Sequence, residues 1–235
     1  MFYLNVSLDR VDLTNDSLSK AEEMGERYGN SDTMAGERIL VDFSSPNTAK
    51  TMHPGHLRST IIGQVVINLL KASGATTYGI NHLGDWGTQF GQLVTGFKLW
   101  ADDVSNEIDP NKDPTAYLAE IYKRIKSAMK NEPKDNTPLA DDGRRNFAKL
   151  EAGDPETIEL WNRFRDMSLI DFQRIYGRLG IEFDMILGES FFEDKMGEPV
   201  QDAINAGLTT VSDGALMVDL NSEHFDRFIL RKSDG

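Results

Sequence analysis

The chain contains no cysteine, which excludes a disulfide framework and thiolate metal sites and fits a reducing compartment. Long apolar runs are missing too. The longest, IIGQVVINLL, is interrupted by Gln64 and Asn68 and is too short to span a bilayer. The first ten residues, MFYLNVSLDR, lack the basic region and apolar core of a secretory signal. Together these absences read as a cytoplasmic protein with no membrane partner. Positive charge is scarce: 25 Lys and Arg face 38 Asp and Glu, for a formal net charge of −13. Such a chain is a poor general binder of DNA, because phosphate contacts need local Lys and Arg. Any nucleic acid partner must meet a local basic patch or surface outside this segment. Histidine is the scarcest functional residue, with only four copies.

What is present suits a soluble α/β protein. At 235 residues the chain can bury a sizeable core. FYLNVSL reads as a short strand, LSKAEEMGERYG as a helix ending at Gly29, and NSDTMAGE as a loop. ILVDF (39–43) suits a buried strand. From His56 to Ala72, Leu57, Ile61, Val65 and Leu69 recur every four residues beside Ile62, Val66 and Leu70, which predicts a helix with a wide apolar face. TTYGIN (76–81) is again strand-like, so the three segments form a βαβ unit and imply a parallel sheet.

A helical run to about Trp100 follows. Then come a polar stretch over 102–114 and an amphipathic helix marked by Tyr117, Ile121 and Ile125. NEPKDNTPLADDG reads as a loop. Asp154-Pro155 is a strong helix start, after which Trp161, Phe164, Ser168, Phe172, Ile175 and Leu179 track one face until Gly180, with Trp161, Phe164, Phe172 and Ile175 expected to pack inward. Strand and loop return in IEFDMILGES, a short helix in EPVQDAINAGL, and a hairpin in TTVSDGALMVDL with its turn at Asp213-Gly214. A strand over Phe228–Arg231 ends in a second Ser-Asp-Gly turn with no second arm, so the chain reads as a piece of a longer protein. The expected division is a tail of another domain over 1–37, the first part of a sheet domain over 38–101, a helical insertion over 102–180, and a return to the sheet domain over 181–235.

The scarce histidines locate the chemistry. His53 and His56 flank Pro54-Gly55 in FSSPNTAKTMHPGHLRST, between the first strand and its helix. Ligands of parallel α/β sheets sit at the carboxyl ends of strands, where helix N-termini offer free N–H groups to phosphate. Gly55 lets a flat base approach the backbone. The two imidazoles can donate to a phosphoryl group as charge develops on it. Two plainer readings stand beside this one: a His-x-x-His metal site, for which no third ligand is evident, and a purely structural loop. Gly84, Gly87 and Gly91 have the wrong spacing for a dinucleotide fingerprint and read as turn and packing glycines around Trp86.

HPGH opening a helix resembles the HIGH signature of class I aminoacyl-tRNA synthetases. VDFSSPNTAKTMHPGHLRSTIIG and INHLGDWGTQFG resemble consecutive motifs of the arginyl-tRNA synthetase family. LEAGDPETIELWNRFRDMSL, YGRLGIEFD, LGESFF, SDGALMVDL and FILRKSDG are similar to that family in the same order. HxGH alone would also fit other nucleotidyltransferases; the ordered set is far more specific.

The resemblance implies a Rossmann-type (HUP-like) parallel-sheet core interrupted by a largely helical connective insertion. It implies ATP, with substrate-associated Mg²⁺, L-arginine and tRNA(Arg) as partners, the tRNA mainly through regions beyond this chain. It implies no resident metal. By the same resemblance His53, His56 and Lys50 are catalytic, with Pro54, Gly55 and His56 on ATP, and Asp42, Ser45, Asn47 and His53 on arginine. Lys50 would stand in for a lysine of the missing KMSK loop, and Asn47 would meet the substrate's α-amino group. A carboxylate such as Asp42 suits a guanidinium, though Asp42 is shorter than the glutamate of some members and could instead cap loop N–H groups. Thr51 replaces a proline common in the family, an exchange that loosens the loop. The family's later Tyr and Asp of the arginine pocket, its second nucleotide-fold half and its anticodon-binding domain are not in this chain. The segment alone is therefore expected to be inactive. The alternative is a non-catalytic fragment or degenerate homologue serving as a binding module.

Overall fold

The computed structural model describes residues 6–133, 136–220 and 227–233, in two compact units that divide between Leu187 and Gly188. The first unit begins with α1 (Arg10–Met24), capped by Asp9, whose carboxylate accepts from the Val11 and Asp12 N–H groups at 2.8 and 3.1 Å. This helix starts eight residues before the predicted one. Local capping decided its start, because no residue of α1 is buried. Of the strand expected over FYLNVSL, only Val6 to Leu8 lie among the described residues, and they are irregular.

β1 (Arg38–Asp42) and β2 (Thr76–Asn81) pair in parallel, Arg38 opposite Thr76 through Asp42 opposite Ile80. The crossover between them is α2 (Pro54–Ala72). β3 (Met185–Ile186) is shorter than expected and pairs in parallel with the end of β2, giving the order β1-β2-β3. The parallel α/β class is thus as the sequence indicated.

The wide apolar face of α2 is where the structure departs from expectation. Its buried stripe is Thr60, Gly63 and Ile67, whereas Ile61, Ile62, Val65, Val66 and Leu69 are exposed. The reason is close approach at Gly63, where a Cβ would collide with the Phe43 ring. The helix lies on the sheet by its smallest residues.

Helices fill the chain between β2 and β3: α3 (Thr88–Ser105), α4 (Pro114–Lys130), α5 (Pro138–Glu151) and α6 (Pro155–Leu179). No strand occurs over 102–180 among the described residues. The sequence missed α5, because Pro138 and Asp141-Asp142-Gly143 read as loop. Glu132 supplies the missing cap from outside the helix, its carboxylate accepting from the Leu139 and Ala140 N–H groups at 2.6 and 3.2 Å. Gly143 lies where α5 crosses α3: a Cβ on it would come within 3.0 Å of the Gln92 side chain, and one on Gly91 would meet the Gly143 carbonyl and the Phe147 backbone. A similar remote cap serves α4: the buried Asp171 of α6 accepts from Thr115 N–H at 3.1 Å.

Two apolar clusters form the core, and α6 reaches both. Phe164 packs with Leu93, Val94, Val104, Tyr117, Leu118, Ile121 and Ala49. Two turns on, Phe172 and Tyr176 pack with Phe43, Ile67, Leu83 and Ile181 beside the sheet. Of the four residues expected inward, Phe164 and Phe172 are fully buried, while Trp161 and Ile175 are only half-buried. Trp161 is held at the boundary by its indole, which donates to the Asp85 carbonyl at 2.7 Å.

The second unit holds a 3-10 stretch (Glu189–Lys195), α7 (Gly197–Asn205) and an antiparallel meander of β4 (Thr209–Ser212), β5 (Ala215–Asp219) and β6 (Arg227–Arg231). The hairpin turn falls at Asp213-Gly214 as read, both with positive φ (49° and 80°), the geometry that suits a two-residue hairpin. Residues 234 and 235, the end of the second predicted turn, lie outside the described residues.

Candidate functional site

The site is built on the loop from β1 to α2. At its start the loop still runs parallel to the chain leaving β2. Gly84 N–H donates to the Pro46 carbonyl and Thr48 N–H to the Gly84 carbonyl, both at 3.1 Å, and Asn47 and Gly84 form a parallel bridge. Gly84 is required here, because a Cβ would collide with the Asn47 side chain. This extension carries Asp42, Ser45 and Asn47 along the carboxyl end of the sheet. Asp42 is exposed and Oδ1 accepts from the Ser45 hydroxyl at 3.0 Å, so its cap is to a side chain.

Three non-glycine residues of this loop have left-handed backbone: Ser44 (φ 72°), Ser45 (φ 50°) and Ala49 (φ 60°). Each such residue costs about 1–3 kcal/mol and persists only where its surroundings over-determine it. The surroundings do so. Ser45 N–H donates to Asn81 Oδ1 at 3.1 Å. Ala49 N–H donates to Ser168 Oγ at 2.8 Å. Ser44 Oγ lies 2.8 Å from Tyr176 Oη and 2.8 Å from Thr60 Oγ1.

The loop ends in a cap made of two histidines. His53 is the N-cap of α2, with Nδ1 accepting from Gly55 N–H at 3.1 Å. His56 answers it, its Nδ1 accepting from His53 N–H at 3.3 Å. The rings stack with centroids 3.8 Å apart. Because each Nδ1 is an acceptor, each neutral ring carries its proton on Nε2, so the pair presents two N–H donors at a helix N-terminus.

Burial, then repulsion from His53 and Lys50, holds the His56 imidazole below its ordinary 6.5. The unfolded chain therefore binds this proton more readily. The contribution to stability is intact above pH 6.5 and is lost as pH falls below it. Protonation also places a proton on Nδ1, which can no longer accept from His53. Titration of the His56 ring by NMR is expected to show a midpoint below 6.5 that rises in Lys50→Met. A midpoint at or above 6.5 in the unsubstituted chain would contradict this account of the ring.

Lys50 follows Ala49 directly, and its ammonium lies over the Tyr122 ring of α4, 5.8 Å from the centroid. Together they line a small cleft with Thr48, Ala49, Gln89 and Phe90. Among the described residues no group of three or more His, Cys, Asp or Glu could hold a metal ion, so a His-x-x-His metal site has no further ligands there. No helix of the described residues is long and apolar enough to cross a membrane.

Sequence reasoning placed Asp42, Ser45, Asn47, Lys50, His53, Pro54, Gly55 and His56, and all of them lie on the last residue of β1, this one loop and the first turn of α2. It missed the residues that hold the loop: Ser44, Thr60, Asn81, Ser168 and Tyr176. One signal was available. Ser168 is a polar residue in the middle of the apolar stripe of α6.

Comparisons with known proteins identify the family. A family model described as "tRNA synthetases class I (R), catalytic domain" matches residues 18–235. The arginine–tRNA ligase of Oenococcus oeni is 42% identical over 99% of this chain and 40% of its own length, and that of Clostridium botulinum (strain Loch Maree) gives the same figures. The arginyl-tRNA synthetase structure from Plasmodium falciparum aligns with a TM-score of 0.66 at 30% identity, over 92% of this chain and 34% of that one. The Thermus thermophilus enzyme aligns with a TM-score of 0.64 at 18% identity, over 93% and 36%, which speaks for the fold. The chain thus spans about 40% of the length of the curated relatives it matches. Since that family model matches all but the first 17 residues, the chain belongs to the catalytic-domain family of the class I arginyl-tRNA synthetases.

Proposed function

We propose that the protein to which this segment belongs ligates L-arginine to tRNA(Arg) through an arginyl-adenylate, in the cytoplasm. An oxygen of the arginine carboxylate attacks the α-phosphorus of ATP, which arrives with its Mg²⁺, and the bond to pyrophosphate breaks. A ribose hydroxyl of the tRNA then attacks the acyl carbon, forming the ester and releasing AMP; the hydroxyl proton goes to the departing phosphate or to water. Neither step needs a covalent protein nucleophile, so the residues act by positioning and charge stabilisation. His53 and His56 donate Nε2–H to the phosphates, Pro54 and Gly55 carry the adenosine, and Lys50 swings from Tyr122 to the phosphates. Ser45, Asn47 and His53 hold the amino acid, with Asp42 toward the guanidinium. The helices over 102–180 serve as the connective insertion between the two parts of the sheet domain.

The observation that carries this reading is the stacked His53–His56 pair with both Nδ1 atoms engaged. It leaves both Nε2–H groups available to an outside acceptor at a helix start.

The test charges tRNA with labelled arginine, using this chain and, at equal concentration, the protein extended to the length of its relatives. The extended protein is expected to charge. The 235-residue chain is expected to fall short by on the order of 10²–10⁴-fold, as for two missing charge-assisted contacts at about 1.5–3 kcal/mol each. Charging by neither would favour a degenerate homologue. Comparable charging by both would overturn the assignment of essential contacts to the remaining length.

A further inference from the structure

We propose that α6 is the splint of the catalytic loop and that Ser168 and Tyr176 are positioning residues for it. The inference rests on the functional reading above. The two side chains stand eight residues apart on α6, about 12 Å along its axis. Each meets one left-handed residue of the loop: Ser168 Oγ accepts from Ala49 N–H, and Tyr176 Oη bonds Ser44 Oγ, both at 2.8 Å. Between these two fixed points lie Ser45 and Asn47, and immediately after the second lies Lys50. The splint therefore brackets two of the four residues proposed for arginine and aims the lysine proposed for phosphate.

Both contacts are buried and wired at their far ends. Ser168 donates its own proton to the Phe164 carbonyl at 2.8 Å, which turns its lone pairs toward Ala49. Tyr176 Oη also accepts from Asn81 Nδ2 at 3.1 Å. Thr60 Oγ1 stands 2.8 Å from Ser44 Oγ and 2.7 Å from the His56 carbonyl. The contacts run without a break from Asn81 through Tyr176, Ser44 and Thr60 to the His56 carbonyl. One continuous chain thus links α6 to the first turn of α2, where the histidine cap sits. Burial pushes the Tyr176 phenol above its ordinary 10.0.

A residue that merely fills the core would not need its oxygen, so the test removes oxygens one at a time. The ¹⁵N-labelled chain is compared with Ser168→Ala, Ser168→Thr and Tyr176→Phe by amide hydrogen exchange and by calorimetric titration with ATP·Mg²⁺. In Ser168→Ala the Ala49 amide is expected to exchange at least about tenfold faster while amides of β2 and α6 keep their rates. ATP affinity should fall by a similar factor. Ser168→Thr, which restores the hydroxyl, should recover both. Tyr176→Phe, which keeps the ring, should speed exchange at Ser44 and Ser45, and it serves if Ser168→Ala does not fold.

Unchanged protection across residues 44–50 in both deletions would overturn the proposal. So would acceleration spread equally over β2 and α6, which marks a structural role only. Should the unsubstituted chain show no ATP binding, the functional reading loses its support in this segment. The exchange data would still decide whether α6 holds the loop.

Discussion

Alanine at His53 or at His56 is expected to weaken ATP binding about 10- to 150-fold. A hydrogen bond from an imidazole to a charged phosphate contributes about 1.5–3 kcal/mol, and each 1.4 kcal/mol is a factor of ten. Each substitution also removes the stacking partner of the other ring and one bond of the capping box, because His53 caps the helix through Gly55 N–H and His56 closes the box through His53 N–H. Losing an N-cap costs about 0.5–2 kcal/mol of stability. The two effects can be separated with His53→Asn, since asparagine is a good N-cap but lacks the Nε2–H. That variant should recover the melting temperature and still bind ATP as weakly as the alanine form. Calorimetry and thermal denaturation on the same samples read both quantities. Unchanged nucleotide affinity in both alanine variants would remove the phosphate role. Full recovery of affinity in His53→Asn would reduce the histidine to a cap.

Phe164→Ala is expected to destabilise the chain by about 3–5 kcal/mol, the usual cost of emptying a fully buried aromatic site. Against a typical total of about 5–15 kcal/mol this brings the fold close to its margin. The ring is inaccessible, packs against Phe97 with centroids 5.1 Å apart, and sits in the cluster that includes Ala49. Its backbone carbonyl takes the proton of Ser168. A cavity here should therefore loosen the loop before the whole domain melts. Urea denaturation would give the loss, and a fall of less than about 1.5 kcal/mol, the range of a volume-conserving swap, would show that the cluster re-closes around the gap. By contrast, Ile170→Ala on the exposed side of the same helix should leave stability within about 0.5 kcal/mol.

How much of this was legible differs by element. β1, α2 and β2 were readable to within two residues, because short apolar and strand-like runs and a four-residue apolar spacing are local signals. The hairpin at Asp213-Gly214 was readable for the same reason, as its turn demands positive φ from both residues. α5 was not. Its start is capped by Glu132 from the preceding turn and its glycine is explained by a crossing with α3, and neither fact is written in its own fourteen residues. Burial of α2 was misjudged because periodicity shows that a face is apolar and cannot show which face a neighbour covers. Gly63 against Phe43 decided that.

The candidate site divides along the same line. Sequence by itself determined the chemistry on offer: two imidazoles around Pro-Gly at a helix mouth, a lysine ahead of them, a carboxylate at a strand end, and a family resemblance carried by ordered motifs. Residue types and their spacing along the backbone suffice for that. Only the tertiary structure decided how the loop is held. Ser44 with Tyr176, Ala49 with Ser168 and Ser45 with Asn81 are partners separated by 132, 119 and 36 residues. Their left-handed backbone is unfavourable in any short peptide. It exists here because buried donors and acceptors must be paired, and folding places partners for them on α2, on α6 and at the end of β2.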